Sequence, residues 1–203
     1  MQGGDRAPGR RAAGRRGRGA GGIRRRRRAS VARGASRSSR RRAGVGAAGV
    51  RALLQALATL GPVGYFPVAP ASAASAVVVL IGWFIPPSSL PVALALIAAG
   101  AAVAVWASGE AEKTLGHDAK SIVADEVVGQ SLALLLVPRA PIGFAAAFVL
   151  FRLFDVWKPL GVRGLQRLPG GYGVVADDVG AGLIACAAFH AGWWGMRRMG
   201  WLS

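Results

Sequence analysis

The sequence predicts an all-α fold: a compact multi-helix bundle embedded in a membrane, behind a disordered Arg-rich N-terminal tail. Three observations lead there. Residues 1–51 hold seventeen Arg and one Asp, whereas the remaining 152 residues hold nine basic and eight acidic side chains, so nearly all of the net charge of +17 lies in the tail. The body that follows consists of long uncharged runs cut by Pro and Gly, at lengths that suit helices in or near a hydrocarbon core. Eight of the nine acids then fall between Glu110 and Asp178, next to those apolar runs.

Residues 1–45 are expected to be a disordered basic tail. Like charges repel, and Gly, Ser and Ala supply too little apolar surface to offset the entropy of ordering. No apolar segment with a small-residue cleavage site follows the Arg clusters closely, so the tail does not read as a secretory signal. Attraction to anionic lipid, worth about 1 kcal/mol per basic residue near the surface, is its expected role. Phosphate-backbone binding is the alternative, although no specific nucleic acid is expected as a partner.

Residues 46–203 form the expected helical, membrane-associated domain. AAGVRALLQALATL (47–60) places Arg51 and Gln55 one turn apart on the polar side of an otherwise apolar surface, which predicts a short interfacial helix. Gly61-Pro62 stops it, and GYFPVAPASAAS (64–75) reads as a loop held close to a neighbour. Val68–Ile85 and Leu90–Ala107 are each uncharged for eighteen residues, the lower limit for crossing a core of about 30 Å. Val127–Val137 and Ile142–Phe151 are too short to span and read as a re-entrant or partly buried hairpin around Pro138-Arg139-Ala140-Pro141. The last apolar helix, Val179–Met196, carries Gly180, Ala181, Gly182 and Ala185, small residues that permit close packing. Arg197 and Arg198 at its end suggest that this helix lies shallow. With the basic tail in the cytoplasm, residues 64–72, 117–126 and 152–178 gather at one membrane face.

That face holds the chemistry. Asp125 and Glu126 open one helix; Arg152 and Asp155 share a face of another at i, i+3, which Lys158 joins if the helix persists to Pro159. Asp177 and Asp178 close the glycine-rich stretch before the last apolar run. Taken singly, these are an N-cap, an ion pair and a turn. Taken together, five acids beside membrane-like helices suit a hard divalent cation, Mg²⁺ first, because such ions take oxygen ligands. Arg152 and Lys158 supply the positive charge that an anionic phosphate requires, so phosphoryl chemistry follows. The single cysteine, Cys186, excludes an internal disulfide, and Gly192 stands where a cysteine phosphatase would have Arg. With only His117 and His190 present, a His-based metal site is not expected. Glu110 and Glu112 read as surface charge.

Four blocks then carry a resemblance: GYFPVAP (64–70), HDxxSIVxDExxG (117–129), FRxFDxxKP (151–159) and GGxGxxxDDxxAG (170–182). In this order and spacing they resemble the bacterial phosphatidylglycerophosphatase A family over about residues 50–195. The resemblance implies an all-helical fold of about six helices in the bacterial inner membrane, with the active site facing the cytoplasm. It implies a Mg²⁺-dependent lipid phosphatase of phospholipid biosynthesis that converts phosphatidylglycerophosphate to phosphatidylglycerol. Asp125, Glu126, Asp155 and Asp178 are then the catalytic candidates, and Asp177 joins them as a metal ligand. Arg152, Lys158 and Ser72 are the candidates for phosphate. Relatives commonly have Gly-Thr-x-Gly-Ser where this chain has Ala71-Ser72-Ala73-Ala74-Ser75, so Ser72 keeps a hydroxyl while both glycines are lost. A small membrane transporter or ion-binding protein without hydrolase activity is the alternative, but no internal repeat of interrupted helices supports it.

Overall fold

The computed structural model describes residues 48–86, 88–116, 119–159 and 161–201. The tail expected over residues 1–45, as well as His117 and Asp118, lie outside the described residues. Among the described residues six α-helices follow one another: α1 (Ala48–Ala58), α2 (Pro70–Phe84), α3 (Leu90–Leu115), α4 (Ala124–Ala133), α5 (Pro141–Trp157) and α6 (Gly171–Arg198). Short 3₁₀ turns at Val63–Tyr65 and Val162–Arg167 punctuate them, and no strand occurs among the described residues. Proline opens α2 directly and stands in the first turn of α3 and α5, where its fixed φ suits the helix and its missing N–H costs nothing.

Among the described residues two helices are long and apolar enough to cross a bilayer. α3 has 26 residues, about 39 Å, and α6 has 28, about 42 Å. The apolar part of α3 is largely uncovered, with Leu94, Leu96, Val103 and Trp106 exposed, as a lipid-facing surface requires. The eighteen-residue span expected at 68–85 is corrected to a helix of 15, about 22 Å, because Pro70 sets its start and the chain is extended at Ile85. The loop expected over 64–75 correspondingly ends at Pro70, which puts Ser72 inside α2. The hairpin expected at 127–151 is present as α4 and α5, while α1 is less interfacial than expected because Leu54 and Ala58 are buried in the core.

α6 is the central helix. Val174 enters the core against α1 and α3, Val175 against α3 and α4, and Ala181 with Ala185 against α4 and α5. Most of these core residues are Ala or Val, so the backbones approach closely. One close crossing joins α4 to α6: a Cβ on Gly182 would lie 2.4 Å from the Gly129 carbonyl oxygen, and one on Gly129 would lie 2.7 Å from the Asp178 carbonyl oxygen. A second close approach sets α6 against α3, where a Cβ on Gly171 would lie 1.9 Å from the Val105 carbonyl oxygen. Side chains at these glycines would push apart the helices that carry the acids.

Candidate active site

Four helices deliver polar side chains to one buried region. Asp125 and Glu126 occupy the first turn of α4, which begins where Val123 N–H donates to the Ala58 carbonyl at 2.8 Å. Because α4 crosses α6 at Gly129 and Gly182, that first turn lies beside Asp177 and Asp178. These two residues are inside α6, which starts at Gly171, and so do not cap a helix as their sequence position suggests. The reason is that the glycines at 170, 171 and 173 adopt the turn and first helical turn while packing against α3 and the 162–168 segment, which moves the helix start upstream. Asp177 and Asp178 are each 2% exposed, Glu126 is 6% and Asp155 is 7%.

The cations stand between the acids. Arg152 Nη1 is 2.6 Å from Glu126 Oε2 and 2.9 Å from Asp155 Oδ2, which ties α4 to α5 through one guanidinium nitrogen. Helix α5 ends at Trp157, yet Lys158 still joins the group. It takes a left-handed backbone, φ 47° and ψ 59°, at a cost of roughly 1 kcal/mol or more for a residue with a Cβ. Its ammonium pairs with Asp177 and lies 3.9 Å from Asp155 Oδ1. Pro159 prevents the helix from continuing and so favours this reversal. The structure thus brings together Asp125, Glu126, Arg152, Asp155, Lys158, Asp177 and Asp178.

Their electrostatics are strained by mutual repulsion. Burial, then the neighbouring charge of Glu126, raises the Asp125 carboxyl well above the usual range. Burial and the charge of Asp155 push Glu126 up to about 7, against the opposing pull of Arg152. Burial works to lower Lys158, but its hydrogen bond to Asp177 and the charges of Asp177, Asp155 and Asp178 outweigh it, so the ammonium is held above its ordinary value. Glu126, Asp125, Asp155 and Asp177 all lie near enough to Asp178 to act on its charge.

Among the described residues, no three Asp, Glu, His or Cys side chains surround one point as a finished metal cage. Two oxygens are nevertheless left over: Asp125 Oδ1 and Asp178 Oδ2 are buried without a hydrogen-bond partner. Burying such an oxygen unsatisfied costs about 1–3 kcal/mol, and more when charged. Free carboxylate oxygens are the donors that a hard divalent cation takes, with water completing its shell. Asp125 and Asp178 thus offer oxygens of the kind a hard divalent cation takes, with Glu126, Asp155 and Asp177 as neighbours. His190 is outside the site, with Nε2 2.9 Å from the Leu135 carbonyl oxygen. Cys186 is half-buried with its thiol near the same carbonyl.

Two polar residues were not singled out from sequence. Ser75, one turn beyond Ser72 in α2, puts its Oγ 3.4 Å from Glu126 Oε2 and 3.0 Å from the Ala71 carbonyl oxygen. The i, i+3 relation to Ser72 was the available signal. Gln130 follows Glu126 by one turn and is completely buried, with neither side-chain polar atom paired. Its signal was a lone amide within an apolar helix.

The family model for phosphatidylglycerophosphatase A matches residues 56–193. A Bacteroides thetaiotaomicron protein, provisionally named a phosphatidylinositol-3-phosphatase, is 37% identical over 130 residues, which cover 60% of this chain and 82% of that protein. Phosphatidylglycerophosphatase A of Escherichia coli is 36% identical over 94 residues, covering 45% of this chain and 55% of the relative. That of Haemophilus influenzae is 40% identical over 77 residues, covering 37% and 47%. The matched segments thus span about half the length of the latter two relatives. No solved structure matches the chain.

Proposed function

We propose that this chain, which belongs to the phosphatidylglycerophosphatase A family, hydrolyses the terminal phosphate monoester of phosphatidylglycerophosphate to phosphatidylglycerol and inorganic phosphate, with Mg²⁺ as cofactor. The observation that carries the chemistry is the pair of half-buried cations, Arg152 and Lys158, set among five carboxylates of which two keep an oxygen without a partner. A structural ion-pair network has no use for such surplus acceptors. A phosphate site does, because metal and phosphate arrive together and balance the charge.

Asp125 and Asp178 would hold the metal, with Glu126, Asp155 and Asp177 directly or through water. A bound Mg²⁺ supplies positive charge against the phosphate oxygens. Arg152 offers a planar fork of donors to two phosphate oxygens, and Lys158 a point charge. As the phosphate takes up these cations, Glu126, Asp155 and Asp177 lose their partners and become available to the metal and to protons. The Ser75 hydroxyl keeps Glu126 oriented during that exchange. The chemical step breaks the P–O bond to the glycerol and returns a proton to the departing glycerol oxygen, while a new P–O bond forms either to water, which gives up a proton, or to an aspartate whose acyl phosphate a water then hydrolyses to inorganic phosphate. Ser72, half-buried in the first turn of α2, would offer its hydroxyl to the phosphate.

The protein is a membrane protein by its two long apolar helices and its family. We place it in the bacterial inner membrane with the site facing the cytoplasm. Arg51, Lys113, Lys120, Arg163 and Arg167 flank the site end, against Arg139, Arg197 and Arg198 at the other, which is the bias the positive-inside rule reads. Phosphate release from phosphatidylglycerophosphate in mixed micelles tests the reading, with phosphatidylinositol 3-phosphate as the comparison because of the Bacteroides relative's name. Mg²⁺-dependent release from the first substrate, stopped by chelation, is expected. Release from the second alone would redirect the substrate, and release from neither would overturn the function.

A further inference from the structure

An apolar groove of about 620 Å³ lies between α2 and α5. Ala76, Leu80 and Trp83 form one wall, and Phe144, Ala145 and Phe148 line the other. Trp83 meets Phe144 edge-on, with ring centroids 5.3 Å apart, and so closes the far end. Both walls follow a single helix face: the α2 positions are separated by four and three residues, and on α5 Phe144 and Ala145 stand four and three residues before Phe148.

Extending each face by one turn identifies what lies at the open end. Four residues before Ala76 is Ser72, and the residue directly before it is Ser75, beside Glu126. Four residues after Phe148 is Arg152, which bridges Glu126 and Asp155. The groove therefore ends one helical turn short of the cationic end of the site on the α5 wall, and next to Ser75 on the α2 wall. Its apolar length, from Ala76 to Trp83 on α2, is about 10 Å. Ala76 and Ala145 are exposed along it, so it can be entered sideways from surrounding lipid.

We propose that this groove is the acyl-chain subsite of the enzyme: it takes one fatty-acyl chain of a phosphate-monoester lipid whose headgroup lies at Arg152. The proposal rests on the phosphatase reading and adds where the substrate's chain goes. A lipid is the occupant because one molecule must satisfy an anionic demand at Arg152 and an uninterrupted apolar demand one turn away. A helix from a second copy would fill the groove without using that polar end. The groove also explains how a membrane-bound headgroup reaches carboxylates that are almost entirely buried: the chain slides between α2 and α5 from the bilayer and carries the phosphate inward.

Ala76→Phe and Ala145→Phe add bulk at exposed positions, into the groove and away from the core, and Leu80→Ala widens it. Turnover is compared on the long-chain lipid and on its deacylated headgroup, which has the same phosphate monoester and no chain. Each filling variant should raise KM for the long-chain lipid by about tenfold or more, the equivalent of two or three unburied methylenes, and leave kcat/KM for the deacylated headgroup unchanged. Equal losses on both substrates, or none on either, would overturn the subsite.

Binding is read separately from turnover. A dibrominated-chain lipid with the terminal phosphate should quench Trp83 more strongly than the same chain on a zwitterionic headgroup, judged by the difference from Trp83→Phe, and Ala145→Phe should abolish the excess. Equal quenching by both lipids identifies ordinary boundary lipid and refutes the proposal. Headgroup-dependent quenching without phosphate release would keep the subsite and refute the phosphatase reading. Release that groove filling does not affect would do the reverse.

Discussion

Replacing Asp178 by Asn removes one negative charge and keeps the shape. Asp178 is 2% exposed, its Oδ2 has no partner, and four other carboxylates act on it. An unsatisfied buried oxygen costs about 1–3 kcal/mol, so the metal-free variant should be more stable than the parent by that order. For a domain of this size each kcal/mol moves the melting temperature by roughly 2–4 °C, which gives a rise of about 3–10 °C in chelator. Mg²⁺ should reverse the comparison. At a hundred times its dissociation constant it stabilises the parent by about 2.7 kcal/mol, while the variant, lacking a ligand, gains little. Activity should fall by about 10²-fold or more, the scale of losing one preorganised charge-stabilising group. Melting followed by tryptophan fluorescence in detergent, with and without Mg²⁺, and phosphate release on the same sample are the assays. Full turnover together with an unchanged Mg²⁺ shift would refute both the metal assignment and the reading of the orphaned oxygen.

Other outcomes follow from the same geometry. Arg152→Lys keeps the charge but loses the planar fork offered to two phosphate oxygens; kcat/KM should drop about 10–100-fold with modest loss of stability, whereas Arg152→Ala, which leaves Glu126 and Asp155 unpaired, should cost about 3 kcal/mol or more in a denaturation curve. Gly182→Ala puts a Cβ 2.4 Å from the Gly129 carbonyl oxygen, and should lower stability by about 1–3 kcal/mol and reduce activity as α4 and its acids move off α6. Glu126 is raised in the folded chain to about 7, so the stability it contributes is fully present below its unfolded value and is lost as pH rises through 7. The metal-free melting temperature should therefore decline across that range, and Glu126→Gln should flatten the decline. Deleting residues 1–44 should leave turnover in micelles unchanged.

Much of this site was legible because local spacing determines it. Arg152 and Asp155 pair at i, i+3 on α5 as a helix requires, and Asp125 with Glu126 opens α4. The prolines before α2, α3 and α5 mark their starts within a residue or two. Other residues depend on contacts that no local pattern encodes. The reach of Lys158 to Asp177 needs the left-handed turn at 158 and the position of α6. The start of α6 at Gly171 results from packing against α3, so a turn-like sequence became helix and two expected capping residues became interior ones. Ser72 was the expected hydroxyl, yet the rotation of α2 presents Ser75 to Glu126.

Composition and periodicity by themselves determined a basic tail, a helical apolar body, a hairpin in its middle and an accumulation of acids with two cations, because hydrophobic runs and i, i+3 spacing act over a few residues. Only the tertiary structure decided that the carboxylates outnumber the contacts their cations can satisfy, and that an apolar groove leads from Arg152 towards the bilayer. Both depend on how closely α4 and α5 approach α6 and α2, a distance set by glycine contacts between segments some fifty residues apart.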